Sequence, residues 1–192
     1  MKFDATAVII AGGKSSRMKR DKALLPFGGF STLAEFQYRR LGKIFSEVYI
    51  SSKSNKFNFE VDLIEDRDEL SSPLVALVSI FETLEVEEVF VLSVDAPFID
   101  ISVIEKLFKK LEETNADIVV AESEYGLEPL SAIYRRSFLK EAKSALSQNN
   151  HRLKSIFKLL KVEKVKFENE KLFMNLNYPS EYIEAKNSLL EE

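Results

Sequence analysis

The chain has 192 residues, with 27 Lys and Arg against 31 Asp and Glu, a formal charge of −4 at pH 7. Its 45% hydrophobic content, including 15 Phe, supplies one large core, which excludes global disorder and favours a single domain over 1–192. The acidic balance argues against a nucleic-acid binder, and no apolar run approaches the ~18 residues of a membrane span. The start, Met1-Lys2-Phe3-Asp4, lacks a signal-peptide pattern, and the absence of Cys removes disulfides and thiolate sites, so a soluble cytoplasmic protein is expected.

In chain order, residues 6–11 form a short β-branched apolar run stopped by Gly12-Gly13, the pattern of a buried parallel strand. Leu33, Phe36, Leu41 and Phe45 make a helical stripe across 32–45. Val48-Tyr49-Ile50 reads as a second strand closed by Ser51-Ser52, and Leu63-Ile64 as a third, running into the acidic segment 65–69. Pro73 suits the first turn of the next helix, whose buried stripe is Leu74, Leu77, Val78 and Phe81. Residues 89–94 are the strongest strand, ended by Asp95-Ala96-Pro97, and Ile104, Leu107, Phe108 and Leu111 form one face of a helix over 102–111. Strands follow at 118–121 and 130–134, helices at about 136–147 and 152–160, a strand pair near 162–167 and 171–175, and a last helix after Pro179. Near-continuous apolar strands separated by helices imply a three-layer α/β/α domain with a mainly parallel, Rossmann-like sheet.

Ligands of such sheets bind beyond the carboxyl ends of the strands. That rule selects residues 12–25, 51–54, Asp66 and Asp95. Between Gly12 and Lys22, five of eleven residues are cations. Positive charge beside a Gly turn, where main-chain N–H groups can approach an anion, suits a polyphosphate. The segment is neither a Walker A loop nor Gly-x-Gly-x-x-Gly. The charge run alone also fits a solvated basic loop, and the Gly pair at the strand end turns the reading towards anion binding. Asp95 leaves the most apolar strand and is a hard oxygen ligand suited to Mg²⁺, although an Asp before Ala-Pro is also a common turn residue. Asp100 is the better cap for the following helix, which leaves Asp95 for another role. His151, in a polar turn, reads as a surface or capping residue, and Phe27 and Phe30 flank Gly28-Gly29 in what could be a mobile flap.

The segment "IIAGGKSSRMKRDKALLPFGG" resembles the signature of nucleotidyltransferases that make nucleotide-activated compounds, and its Arg-Met…Asp-Lys form is similar to the molybdenum cofactor guanylyltransferases, the MobA family. "LIEDR", "SPLVALVSIFETL", "VLSVDAPFI" and "FMNLNYPSEY" continue the resemblance in the family's order over nearly the whole chain. Departures from the family pattern are Lys19 and Ala76 where Gly is usual, Glu128-Pro129 in place of His-Pro, and Ser51-Ser52-Lys53 where an Asn is often found.

The resemblance implies a nucleotidyltransferase fold and GMP transfer from GTP to molybdenum-bound molybdopterin, with Mg²⁺ as cofactor. Ile10, Ala11, Gly12, Gly13, Lys53 and Asp66 would bind the nucleotide. Lys22 and Arg17 would contact its phosphates, and Asp95 would hold the metal. Arg152, Asn175 and Asn177 would face the acceptor. Other proteins of molybdenum cofactor biosynthesis, or chaperones of molybdoenzymes, would be its partners. Cytidylyl transfer to the same acceptor, nucleotidyl transfer to a sugar phosphate and non-catalytic nucleotide binding are the competing readings.

Overall fold

The apolar runs become the strands of one sheet. A computed structural model describes residues 2–12, 18, 20–66 and 72–189. Its strands are β1 (Phe3–Ile10), β2 (Phe45–Ser52), β3 (Leu63–Glu65), β4 (Glu88–Ser93), β5 (Ile118–Ser123), β6 (Gly126–Arg135) and β7 (Val162–Lys166). They lie in the order β3-β2-β1-β4-β6-β5-β7. β1 pairs in parallel with β2 and β4, β2 with β3, and β5 with β7, whereas β6 runs antiparallel to β4 and β5. The result is the mainly parallel α/β architecture expected from the sequence.

The helices are α1 (Leu33–Leu41), α2 (Pro73–Thr83), α3 (Ile101–Glu113), α4 (Phe138–Ser147), the single turn α5 (Leu153–Ile156) and α6 (Pro179–Ser188). Side chains alternate along β1, so Ala7 and Ile9 join the core under α1 and α3 while Val8 and Ile10 join the core under α2 and α4. Both faces are therefore dry, which is why the strands read as unbroken apolar runs. Side-chain caps begin three helices. Thr32 Oγ1 accepts from the Glu35 amide at 3.1 Å, Ser72 Oγ from Val75 at 3.2 Å, and Asp100 Oδ1 from Val103 at 3.1 Å. Asp100 takes the capping role expected of it, and Pro73 sits in the first turn of α2.

Four local expectations change. Phe45 is the first residue of β2 and not the last of a helical stripe, because Gly42 ends α1 and Phe45 packs between the rings of Phe3 and Phe90, with centroids at 5.5 and 5.4 Å. Residues 152–160 split into α5 and a 3₁₀ turn over Phe157–Leu159 before β7. Residues 171–175 are not a strand: β7 is the edge of the sheet, and Asn169 Oδ1 accepts from the Lys171 amide at 3.2 Å to start a 3₁₀ turn over Glu170–Phe173. Phe27 is buried against Phe36 and bridges to Phe30 through main-chain hydrogen bonds, so this pair is an anchored corner and no flap. Among the described residues, no helix is long and apolar enough to cross a membrane.

Phe45→Ala should cost about 3–5 kcal/mol, the usual range for emptying a buried aromatic site. Urea denaturation followed by far-ultraviolet circular dichroism checks this, and a loss below ~1 kcal/mol would show that the stack does not hold β2 against β4.

Candidate functional site

Parallel register lines up the strand ends. Ile10 lies opposite Ser51 on one side and Ser93 on the other, and Ser51 lies opposite Ile64. Main-chain bonds extend the alignment past the strands: the Ala11 amide donates to Ser51 O at 2.9 Å, the Val94 amide to Ile10 O at 3.0 Å, and the Asp66 amide to Ser52 O at 3.0 Å. Ile10, Ala11, Gly12, Asp66 and Asp95 are thereby brought to one rim. Gly13 and Arg17 lie outside the described residues.

Lys22 reaches this rim from a 3₁₀ turn, Lys22–Leu24, whose N-cap Asp21 accepts from the Ala23 amide at 3.0 Å. Its ammonium pairs with Asp95 Oδ2 and donates to Asn177 Oδ1 at 3.0 Å. The two partners come from positions 73 and 155 residues away, so three distant segments converge on one cation. The other Asp95 oxygen accepts from Ser93 Oγ at 2.6 Å. Only 16% of the Lys22 side chain and 14% of Asp95 remain exposed, so solvent screens this pair weakly.

Asp66 is built differently. Its Oδ1 accepts from Ser51 Oγ at 2.7 Å, and a Cβ placed on Gly12 would stand 3.1 Å from its Oδ2. Gly12 therefore lets the chain pass close to this carboxylate. Burial raises the Asp66 carboxyl above its ordinary value, opposed by the Ser51 hydroxyl and by the charges of Lys53 and Lys56. Lys53, a nucleotide-binding candidate, is exposed on the β2 side of the rim. Lys56 donates to Ala11 O at 3.0 Å and to Asp21 Oδ2 at 2.5 Å, tying the main chain before the cationic segment to the carboxylate after it.

The acceptor candidates divide. Leu176 is fully buried and its amide donates to Asp95 O at 2.9 Å, which turns the flanking Asn175 and Asn177 outward along the rim. Glu181 Oε2 accepts from the amides of Asn177 and Tyr178 at 2.6 and 2.8 Å, fixing the start of α6. Both Asn line a cleft of about 480 Å³ with Tyr125, Glu128, Glu170 and Glu181. Arg152 is exposed at the start of α5, where its amide donates to Asn150 Oδ1 at 3.1 Å, and the structure does not join it to Lys22, Asp95 or Asn177. Its neighbour His151, expected to be a surface or capping residue, places Nδ1 3.2 Å from Ser72 Oγ, the residue that caps α2, and caps no helix itself.

Asp95 offers a hard, rigid oxygen donor. Among the described residues, no group of three or more His, Cys, Asp or Glu could hold a metal unaided. The donor set fits an ion such as Mg²⁺ that takes one or two carboxylates and completes its shell with waters and substrate phosphates.

Ser51 lies in the strand-end segment 51–54 expected from sequence, whereas Lys56 and Ser93 were not expected. Ser93 had a visible signal, a hydroxyl two residues before Asp95 in an otherwise apolar strand. Lys56 had a weaker one, a cation in the loop after β2, four residues beyond the strand end.

A family model described as MobA-like NTP transferase domain matches residues 7–165. The chain is 38% identical to the molybdenum cofactor guanylyltransferase of Campylobacter jejuni subsp. doylei over 188 residues, 97% of each chain. It is 33% identical to the protein of the same name from Helicobacter pylori strain G27, covering 96% of this chain and 92% of that one. Its fold is shared with the crystal structure of molybdopterin-guanine dinucleotide biosynthesis protein A from Archaeoglobus fulgidus, with TM-score 0.85 and 19% identity over 97% of this chain and 100% of that one.

Because its carboxyl is raised in the folded state, Asp66 favours folding below the unfolded carboxyl value, and that contribution is lost as pH rises through the raised folded value. Asp66→Asn keeps an acceptor for Ser51 without the buried charge. The variant should melt above the parent at pH 7, and the gain should shrink towards about pH 4, where an ordinary Asp protonates. Thermal melts across that range check the sign, and a variant that melts lower at pH 7 would contradict it.

Proposed function

This chain belongs to the MobA-like NTP transferase family and, within it, to the molybdenum cofactor guanylyltransferases, and on that footing we propose that it transfers GMP from GTP to molybdenum-bound molybdopterin, releasing pyrophosphate. The observation that carries this reading is the meeting of Lys22 with Asp95 at the strand ends, on the rim where Gly12 passes close to Asp66. A triphosphate needs a cation, a metal-holding carboxylate and close main chain together, and that rim provides all three.

The acceptor's terminal phosphate oxygen attacks the α-phosphorus of GTP. A new P–O bond forms, the bond from the α-phosphorus to the bridging oxygen breaks, and the electron pair leaves with pyrophosphate. A phosphate monoester is already anionic near neutral pH, so no general base is required. The protein's task is to position two anions against each other and to stabilise charge on the leaving group. This agrees with a rim of Lys, Asp and Asn in a chain with one His, which sits against Ser72.

Nucleotidyltransferases of this family act with a divalent metal, and Mg²⁺ is the ion we assign, with Asp95 as its protein ligand. When bound, the ion neutralises charge on the phosphate oxygens and the departing pyrophosphate. With the nucleotide in place, Lys22 would turn from Asp95 to the phosphates, which Arg17 would also contact. Ile10, Ala11, Gly12 and Gly13 pass close to the nucleotide, Asp66 accepts from the base, and Lys53 and Lys56 lie on that flank. Asn175 and Asn177, at the cleft beside Lys22, face the acceptor, and Arg152, which lies apart from that cleft, is left out of the assignment. Proteins that deliver molybdopterin or receive the product are the partners of this chemistry. The cytoplasm is its assigned compartment, in keeping with the absence of Cys.

Lys22→Ala should lower turnover by about 10²–10³, the scale for losing one preorganised charge donor, and Asp95→Asn should match it while blunting metal dependence. Pyrophosphate release is the assay, and unaltered release in both variants would refute the site. Lys56→Met should raise the KM for GTP by roughly tenfold with a smaller change in kcat, because it loosens ground-state binding. A panel of triphosphates tests the base: faster turnover with CTP than with GTP would favour the cytidylyl reading.

A further inference from the structure

The interior behind Asp95 contains two polar side chains that the reaction does not use. Gln37, on α1, is fully buried in an otherwise apolar layer. Its Nε2 donates to Ala96 O at 3.0 Å and to Val94 O at 3.4 Å, the carbonyls on either side of Asp95. Its Oε1 accepts from Arg40 Nε at 3.1 Å and Nη2 at 2.6 Å, and Arg40 Nη1 donates to Ile99 O. The remaining carbonyl of the turn, that of Asp95, accepts from the Leu176 amide at 2.9 Å. Three consecutive carbonyls at the end of β4 are thus tied to α1 and to the Asn175–Asn177 segment.

Burying an amide and a guanidinium costs free energy unless their hydrogen bonds are made, so such groups persist where they fix one arrangement of the chain. Burial lowers the Arg40 guanidinium to about 10, with Asp100 nearby opposing the shift, so it remains cationic at neutral pH and holds Gln37 by charge-assisted bonds. The amide of Gln37 is thereby oriented with its NH₂ towards the turn. A capping or core-filling role would not require both carbonyls flanking Asp95.

We infer that Gln37 and Arg40 are positioning residues that hold the Asp95 turn in the geometry needed to take up a divalent ion with the nucleotide. The inference rests on the functional reading for its ligand, but the link from Gln37 to the turn is independent of it. Residues that orient a metal ligand from behind commonly change metal affinity by about 10–100-fold when removed. The pair touches neither metal nor nucleotide, so its effect must pass through Asp95.

Two substitutions test it, with Thr32→Ala as a control that weakens α1 at its cap without touching the turn. Gln37→Met removes the donor and the acceptor, whereas Gln37→Glu keeps an acceptor for Arg40 and removes the donor. Amide hydrogen exchange at Val94, Ala96 and Leu176 should quicken by roughly tenfold or more in both Gln37 variants and much less in the control. Mn²⁺ binding in the presence of a non-hydrolysable GTP analogue, followed by electron paramagnetic resonance, should weaken by about tenfold in both, with nucleotide affinity in the absence of metal little changed. Folded variants with wild-type exchange and wild-type Mn²⁺ affinity would overturn the proposal, as would equal effects of Thr32→Ala or failure of both Gln37 variants to fold. A wild-type protein that binds no Mn²⁺ with the analogue would instead refute the functional reading, while the exchange data still decide the positioning role.

Discussion

β1 bonds in parallel to β2 on one side and to β4 on the other, and the register sets Ile10 beside both Ser51 and Ser93. Every group assigned to the nucleotide depends on that alignment. A one-residue slip would turn each strand over, moving Val8 and Ile10 from one core to the other and carrying Asp95 away from Gly12. The apolar demand of two buried faces thus fixes a polar site at the edge, with no side chain of that site contributing to the choice.

Charge at the rim is compensated before any ligand arrives. Lys22 is matched by Asp95 and Lys56 by Asp21. A basic cluster left uncompensated and partly buried would destabilise the fold, whereas paired cations can exchange their carboxylates for phosphate oxygens. Asp66 differs: burial raises its carboxyl despite Ser51 and the nearby lysines, so its charged form is held at a cost in stability. The C-terminal segment serves the same rim, since Leu176 anchors it under Asp95 and leaves Asn177 on Lys22.

Much of this was legible in sequence because it follows from patterning. The apolar runs located the strands, Gly12-Gly13 marked the first strand end, and the position of Asp95 after the most apolar run placed it at the rim. What was not legible depended on tertiary partners. Phe45 fits a helical spacing and a strand equally well, and stacking on Phe90 decides it. Residues 171–175 have strand-like composition, but the sheet ends at β7 and Asn169 offers a local cap. Gln37 and Arg40 are polar residues on a helix in sequence, and only the path of the turn after β4 shows why Gln37 is buried and Arg40 half-buried beside it. Arg152 was expected near the acceptor from resemblance alone, and its own contacts are with the α4–α5 turn.

A crystal structure with a non-hydrolysable GTP analogue and Mg²⁺ tests the central claim most directly. The account predicts a triphosphate over Gly12, Lys22 moved from Asp95 onto phosphate oxygens, Asp95 bound to the ion, and the base against Asp66. A nucleotide bound away from this rim, or bound there with Lys22 still paired to Asp95 and the ion held elsewhere, would contradict it.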